Sequence, residues 1–141
     1  MGAIKRHKQY NDFINLCEMK MNEAPAIFPV THKFAPGLYR REMFIPKGGF
    51  LSSKVHLEEH FFEVIMGCID VMTEDGVVRY LAPADGVSKK GTRKLGFALE
   101  DTVFVTYHTN ADNCQDITKL EKRLFKVYKN PLLNKKMEVI K

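Results

Sequence analysis

His56-Leu57-Glu58-Glu59-His60-Phe61-Phe62-Glu63-Val64-Ile65-Met66-Gly67 is the stretch whose reading decides the fold of this 141-residue chain. Two histidines and three glutamates crowd between His56 and Glu63, and an apolar run follows directly. One reading is a helix over 53–66, opened by Ser53 and ended by Gly67, with Leu57, Phe61, Val64 and Ile65 on one face. His56, Glu59 and His60 would then form H-x-x-E-H, in which two histidines one turn apart hold zinc and the glutamate activates water. The other reading is a strand ending near His56, a tight connection, and a second strand opening at His60. Both histidines can then face one interior.

The surroundings favour strands. From Phe28 to His108, Pro36-Gly37, Pro46-Lys47-Gly48-Gly49, Glu74-Asp75-Gly76, Pro83, Asp85-Gly86 and Gly91 punctuate the chain. Between them lie short runs of strand length, rich in aromatic and β-branched residues: 38–45, 60–66, 68–73, 77–82, 95–99 and 101–108. Asp75-Gly76 reads as the tip of a hairpin, with the positive φ that a primed turn needs. Many short strands with turns between them predict a mainly β sandwich or barrel.

The ends read differently. Tyr10, Phe13, Ile14, Cys17 and Met21 share the spacing of one helical face, and Asn22-Glu23-Ala24-Pro25 ends that helix. Asp116 to Phe125 starts with a capping residue and carries apolar Ile117, Leu120, Leu124 and Phe125, an amphipathic helix. The tail beyond it is basic, yet Leu132, Leu133, Met137, Val139 and Ile140 predict that part of it packs. The expected organisation is a helical segment (1–24), a β-barrel (25–112), and a helix with a basic tail (113–141).

Composition narrows the function. Hydrophobic residues are 45% and charged residues 28%, ordinary for a globular domain. No apolar run approaches the roughly 18 residues of a membrane span, and the basic start lacks the apolar core of a signal peptide. Cys17, Cys68 and Cys114 have no paired spacing, which suggests a reducing, cytoplasmic setting and excludes a zinc finger or C-x-x-C redox pair. The net charge of +5 and pI near 9.1 favour an anionic partner, though a solvated surface also explains them. Nothing in the chain resembles a groove-reading helix or an aromatic-basic platform, so nucleic acid is not the expected partner.

With strands on both sides of His60, the spacing resembles the first cupin motif, G-x5-H-x-H-x3–4-E-x6-G. Gly48, Lys54, His56, His60 and Gly67 stand at its positions. The second motif, P-x-G-x2-H-x3-N, aligns with Lys89, Gly91, Lys94 and Ala98. The resemblance covers about residues 37–108. It extends to small cupin-like proteins of bacteriophages, through Ser53-Lys54-Val55-His56 with Glu59-His60, Gly91-Thr92-Arg93 and the closing strand Glu100–His108. It implies a cupin-like jelly-roll or double-stranded β-barrel with flanking helices, which commonly dimerises; a homodimer or higher homo-oligomer is therefore expected.

The resemblance also implies a metal held by histidines and a glutamate, and here the chain departs. Lys54 replaces one ligand, His60 stands at the glutamate, and Lys94 replaces the histidine of the second motif. An ammonium has no lone pair for a metal and repels one. A different set, His56, His60 and His108, could hold one divalent Zn, Fe or Mn, with Glu58, Glu59 or Glu63 orienting the rings. The bland alternative is that these are hydrogen-bonded core histidines. Without a metal, Lys54, His56, His60 and Lys94 would line the barrel mouth. One of Arg40 and Arg41, with Arg41 preferred, would join them, and Arg93 and Tyr107 are further candidates. Phe44, Phe62 and Phe104 could flank a ring. Such a pocket would hold a small anionic, phosphorylated or nucleotide ligand. The expectation leans away from catalysis: a binding protein first, a metal-dependent cupin enzyme second, a virion structural protein third.

Overall fold

The computed structural model describes residues 2–23 and 28–126, together with the side chains of all but a few of them. The predicted packing of the tail residues Leu132, Leu133, Met137, Val139 and Ile140, and of the Met21 side chain, lies outside the described residues.

The chain runs α1 (Gly2–Glu23), β1 (Val30–Ala35), β2 (Gly37–Ile45), β3 (Phe50–Ser52), β4 (Val55–His56), β5 (His60–Met66), β6 (Cys68–Thr73) and β7 (Gly76–Leu81). It continues through β8 (Ala84–Ser88), β9 (Leu95–Ala98), β10 (Thr102–Asn110), α2 (Ile117–Leu124) and β11 (Phe125–Lys126). A five-stranded sheet in the order β1-β2-β10-β5-β8 faces a four-stranded sheet in the order β3-β9-β6-β7. All pairings are antiparallel, and β11 pairs with β4 across one end. The result is the expected two-sheet jelly roll.

The opening stretch is therefore not a helix. His60–Met66 alternates with period two, with His60, Phe62 and Val64 inward, and His56 and His60 lie on separate strands. Gly67 joins β5 to β6 at φ +89°, where an added Cβ would lie 2.1 Å from the Asp101 carbonyl oxygen. Only glycine fits that junction. The hairpin between β6 and β7 is present, but only Gly76 has positive φ there; Asp75 does not.

Besides the short β3 and β11, two longer strands escape the sequence reading. Val30–Ala35 alternates half-buried and exposed residues and carries His32 and Lys33, so it lacks an apolar signature. In Ala84–Ser88, Asp85-Gly86 reads as a turn but sits within a strand. Gly86 is there because a Cβ would come 2.6 Å from the Phe62 ring that crosses it.

Three apolar clusters hold the layers. Ile45, Val64, Ile69, Val71 and Ala98 pack between the sheets. Tyr10, Ile14 and Leu95 dock α1 on the outer face of the smaller sheet. Tyr39, Leu120 and Leu124 seat α2 against the end of the larger one. Asp116 caps α2 by accepting from the Lys119 N–H at 3.2 Å. The α1 face differs from its expected membership. Phe13 is 45% exposed, whereas Asn11 and Asn15 are buried. The reason is Arg93, whose guanidinium donates to Asn11 Oδ1, Asn15 Oδ1 and Glu18 Oε1 at 2.6–3.2 Å beneath the helix.

Candidate functional site

Between the two sheets lies a cavity of about 240 Å³. Its walls are mostly apolar: Met43 and Ile45 from β2, Leu51 from β3, Ile69 and Val71 from β6, and Phe104 from β10. Strand alternation sends odd-numbered side chains of β2 inward, so Arg41 lines the cavity and Arg40 does not. Arg40 lies instead over the Tyr107 ring, 5.9 Å from its centroid, and pairs with Glu42 at 3.5 Å.

Three cations reach the cavity: Arg41, Lys54 and Lys94. One acid joins them. Glu121, projecting from α2, lies 3.7 Å from Arg41 and 3.8 Å from Lys54. Lys54 is half-exposed at the mouth. Arg41 also stands over the Phe125 ring, 5.0 Å from its centroid. Lys94 is half-buried. Its Nζ hydrogen-bonds Ser88 Oγ and lies 4.3 Å from the Phe62 ring centroid and 5.6 Å from that of Phe104. Among the described residues no carboxylate lies within ion-pair distance of it. Burial alone lowers its pKa to about 8.

His56, His60 and His108 do come together. The His56 and His60 ring centroids are 4.5 Å apart and those of His60 and His108 4.6 Å, at tilts of 46° and 42°. Phe125 closes the cluster, edge-on to His56 and His108. Only His56 lines the cavity; His60 and His108 stand outside its lining. Burial, then the neighbouring rings and cations, depresses His56 and His108 to about 3, and burial also lowers His60. All three are neutral near pH 7. His60 Nδ1 donates to the Glu58 carbonyl at 3.2 Å, and His108 Nε2 bonds Thr106 Oγ1 at 2.9 Å. Among the described residues, buried His56 Nδ1 and His60 Nε2 have no hydrogen-bond partner.

This packing does not fit the metal that the cupin resemblance implies. The rings pack against one another at a tilt, and among the described residues no group of three or more His, Cys, Asp or Glu is arranged to hold a metal ion. Glu58 and Glu59 are exposed, and Glu63 engages Tyr107, so none of their carboxylates orients an imidazole.

Two further candidates point elsewhere. Arg93 lies under α1, its side chain 3% exposed, pairing with Glu18 at 2.6 Å. Tyr107 sits on the opposite face of β10 from Phe104 and Thr106, which line the cavity. Among the aromatic candidates, Phe104 lines it, Phe62 underlies Lys94, and Phe44 is 37% exposed. Glu121, Phe125 and Ser88 belong to the site and were missed. The signal for Glu121 was present: it follows Ile117 by one helical turn and so flanks the buried stripe of α2.

No family model matches the chain, and no curated protein matches its sequence. Solved structures do match in shape. A double-stranded β-helix protein of Klebsiella pneumoniae superposes with a TM-score of 0.54 at 14% identity, over 64% of this chain and 84% of that one. The EutQ protein of Clostridium difficile matches with 0.53 at 17%, over 64% and 74%. A cupin-2 domain protein of Shewanella frigidimarina matches with 0.51 at 13%, over 66% and 91%. At such identities the likeness is one of fold: the chain has the cupin-type double-stranded β-helix. A bacteriophage source draws no support from these likenesses. No helix among the described residues is long and apolar enough to cross a membrane.

Proposed function

Taking the cupin-type barrel as the frame, we propose that the chain binds a small anionic molecule in the cavity between its sheets, without turnover. The observation that carries this reading is the charge of the lining: three cations against one carboxylate, on a wall otherwise made of apolar and neutral polar side chains. Arg41 and Lys54 already share the Glu121 carboxylate, so the site's chemistry suits an acid group. Lys94 has no such partner. A half-buried cation facing a mostly apolar cavity gains from an anion more than a solvated one does.

Size refines the ligand class. The cavity of about 240 Å³ falls below the roughly 300–1,000 Å³ of drug-sized pockets. That favours a short carboxylate or a single phosphate ester over a whole nucleotide. The open cavity also supports binding over a purely structural role, for which a packed barrel would serve. Three free thiols support a reducing, cytoplasmic setting. Exposed Val77, Val78 and Leu81 on the edge strand β7 support pairing with a second copy, which sedimentation would read.

Calorimetry with short carboxylates, monophosphate esters and nucleoside monophosphates at low salt tests the reading. Saturable binding is expected, about tenfold weaker in Lys94→Met and in Arg41→Met. An absence of binding across all three classes would overturn it. The alternative read from the sequence, a metal enzyme using His56, His60 and His108, has in its favour two imidazole nitrogens with no partner among the described residues, and against it the packing of the rings. It requires near-stoichiometric Zn, Fe or Mn in the purified protein, lost in His56→Ala.

A further inference from the structure

Lys94 lines the cavity and is also a nucleophile, a property on which simple anion binding does not draw. We propose that its amine captures the carbonyl carbon of a small 2-oxo acid as a reversible imine, inside the cavity that also presents Arg41 and Lys54 to the acid group. This rests on the anion-binding reading and names the ligand class within it.

Four observations support it. Lys94 lines the cavity, whose wall beside it is apolar. Among the described residues no carboxylate pairs with its ammonium, whereas Lys54 has Glu121. Ser88 Oγ hydrogen-bonds the nitrogen and, as a donor to the neutral amine, leaves it able to attack after a small rotation. Arg41 and Lys54 share one carboxylate between them, which leaves positive charge for a second. Burial alone brings the amine to about 8. About a tenth of it is then neutral at pH 7, against under about one in a thousand for an ordinary lysine.

The step balances without an oxidant or reductant. The nitrogen lone pair forms the C–N bond, the amine gives up its two N–H protons to the carbonyl oxygen, and the C–O bond breaks as that oxygen leaves as water. The product is C=N, and hydrolysis reverses it.

Trapping with borohydride tests this on the unmodified protein. Pyruvate is the probe, and propionate is the control of similar size with no ketone. Wild-type protein is incubated with pyruvate, reduced, and mapped by peptide mass. The expected result is one reduced adduct per chain at Lys94, about tenfold above exposed Lys89 and Lys90, with yield rising between about pH 7 and pH 9. It should be absent in Lys94→Arg and retained in Lys89→Arg. Because the peptide map of the wild type decides, a folding defect in the variant does not blunt the test. An adduct spread over surface lysines, or none, overturns the imine. If propionate still binds by calorimetry in that case, the anion-binding reading stands. If neither acid binds and nothing is trapped, both fall.

Discussion

Lys94 and Arg93 are neighbours in sequence with opposite fates. Alternation along the approach to β9 sends one side chain into the cavity and the other under α1. Spacing to the cupin motifs singled out Lys54 and Lys94, and both reach the cavity, because motif spacing fixes strand position and hence side-chain direction. Arg93 and Tyr107 were chosen by charge and proximity alone, and one residue of offset turns a side chain to the other face. Lys94 also carries a measurable cost. Its pKa falls from 10.5 to about 8 on folding, so the unfolded chain holds the proton more tightly. Stability therefore rises with pH from about 8 to 10.5, and below that window the fold bears the full cost of a buried ammonium, on the order of 3 kcal/mol. Lys94→Met should flatten that rise. Chemical unfolding at intervals across this window measures it; an unchanged slope in the variant would mean that Lys94 is as well solvated folded as unfolded.

At the scale of elements, strands marked by aromatic and β-branched runs were legible, and those hidden by function-bearing or small residues were not. Ala84–Ser88 reads as a turn because Gly86 was taken for punctuation; its absent side chain serves the Phe62 ring instead. The α1 helix was legible as a helix but not in its facing. A periodic search for apolar residues passes over Asn11 and Asn15, which are buried only because Arg93 lies beneath them. That docking is polar, and it should fail when the cation goes. Arg93→Ala leaves two buried amide oxygens and Glu18 without their shared donor. Loss of one partner of a buried pair costs about 3–5 kcal/mol. Urea unfolding should show a loss of that order, with early exposure of α1 to proteolysis. Because Arg93 does not line the cavity, anion affinity in the folded fraction should stay within about twofold of wild type. A tenfold loss of affinity with stability intact would instead place Arg93 in the binding site.

For the molecule as a whole, the same barrel end that shelters the cavity buries three histidines, at 7%, 6% and 3% exposure. His56, His60 and His108 were chosen from sequence as metal ligands, and the structure does gather them. What spacing could not convey is orientation: ring tilt decides whether nitrogens meet at a point or rings pack on one another. Packed and neutral, they become an acid-sensitive element. Protonating one ring would place a cation beside two others, with Lys94 and Arg41 close by. Unfolded, each ring titrates near 6.5; folded, His56 and His108 wait until about 3, and His60 is shifted the same way. The unfolded state therefore binds more protons across that interval. Stability is complete above about pH 6.5 and is lost as pH falls toward 3, at about 1.4 kcal/mol per pH unit for each proton taken up. Unfolding free energies measured from pH 7 down to 4.5 should fall with a slope of two to three protons. His108→Gln should reduce that slope by about one proton. Because the change removes one imidazole and no carboxylate, that difference assigns the lost proton to the cluster. A flat profile down to pH 4.5 would show that the rings accept protons within the fold. The packed, neutral cluster would then be wrong, and with it the case against a shared ligand at their nitrogens.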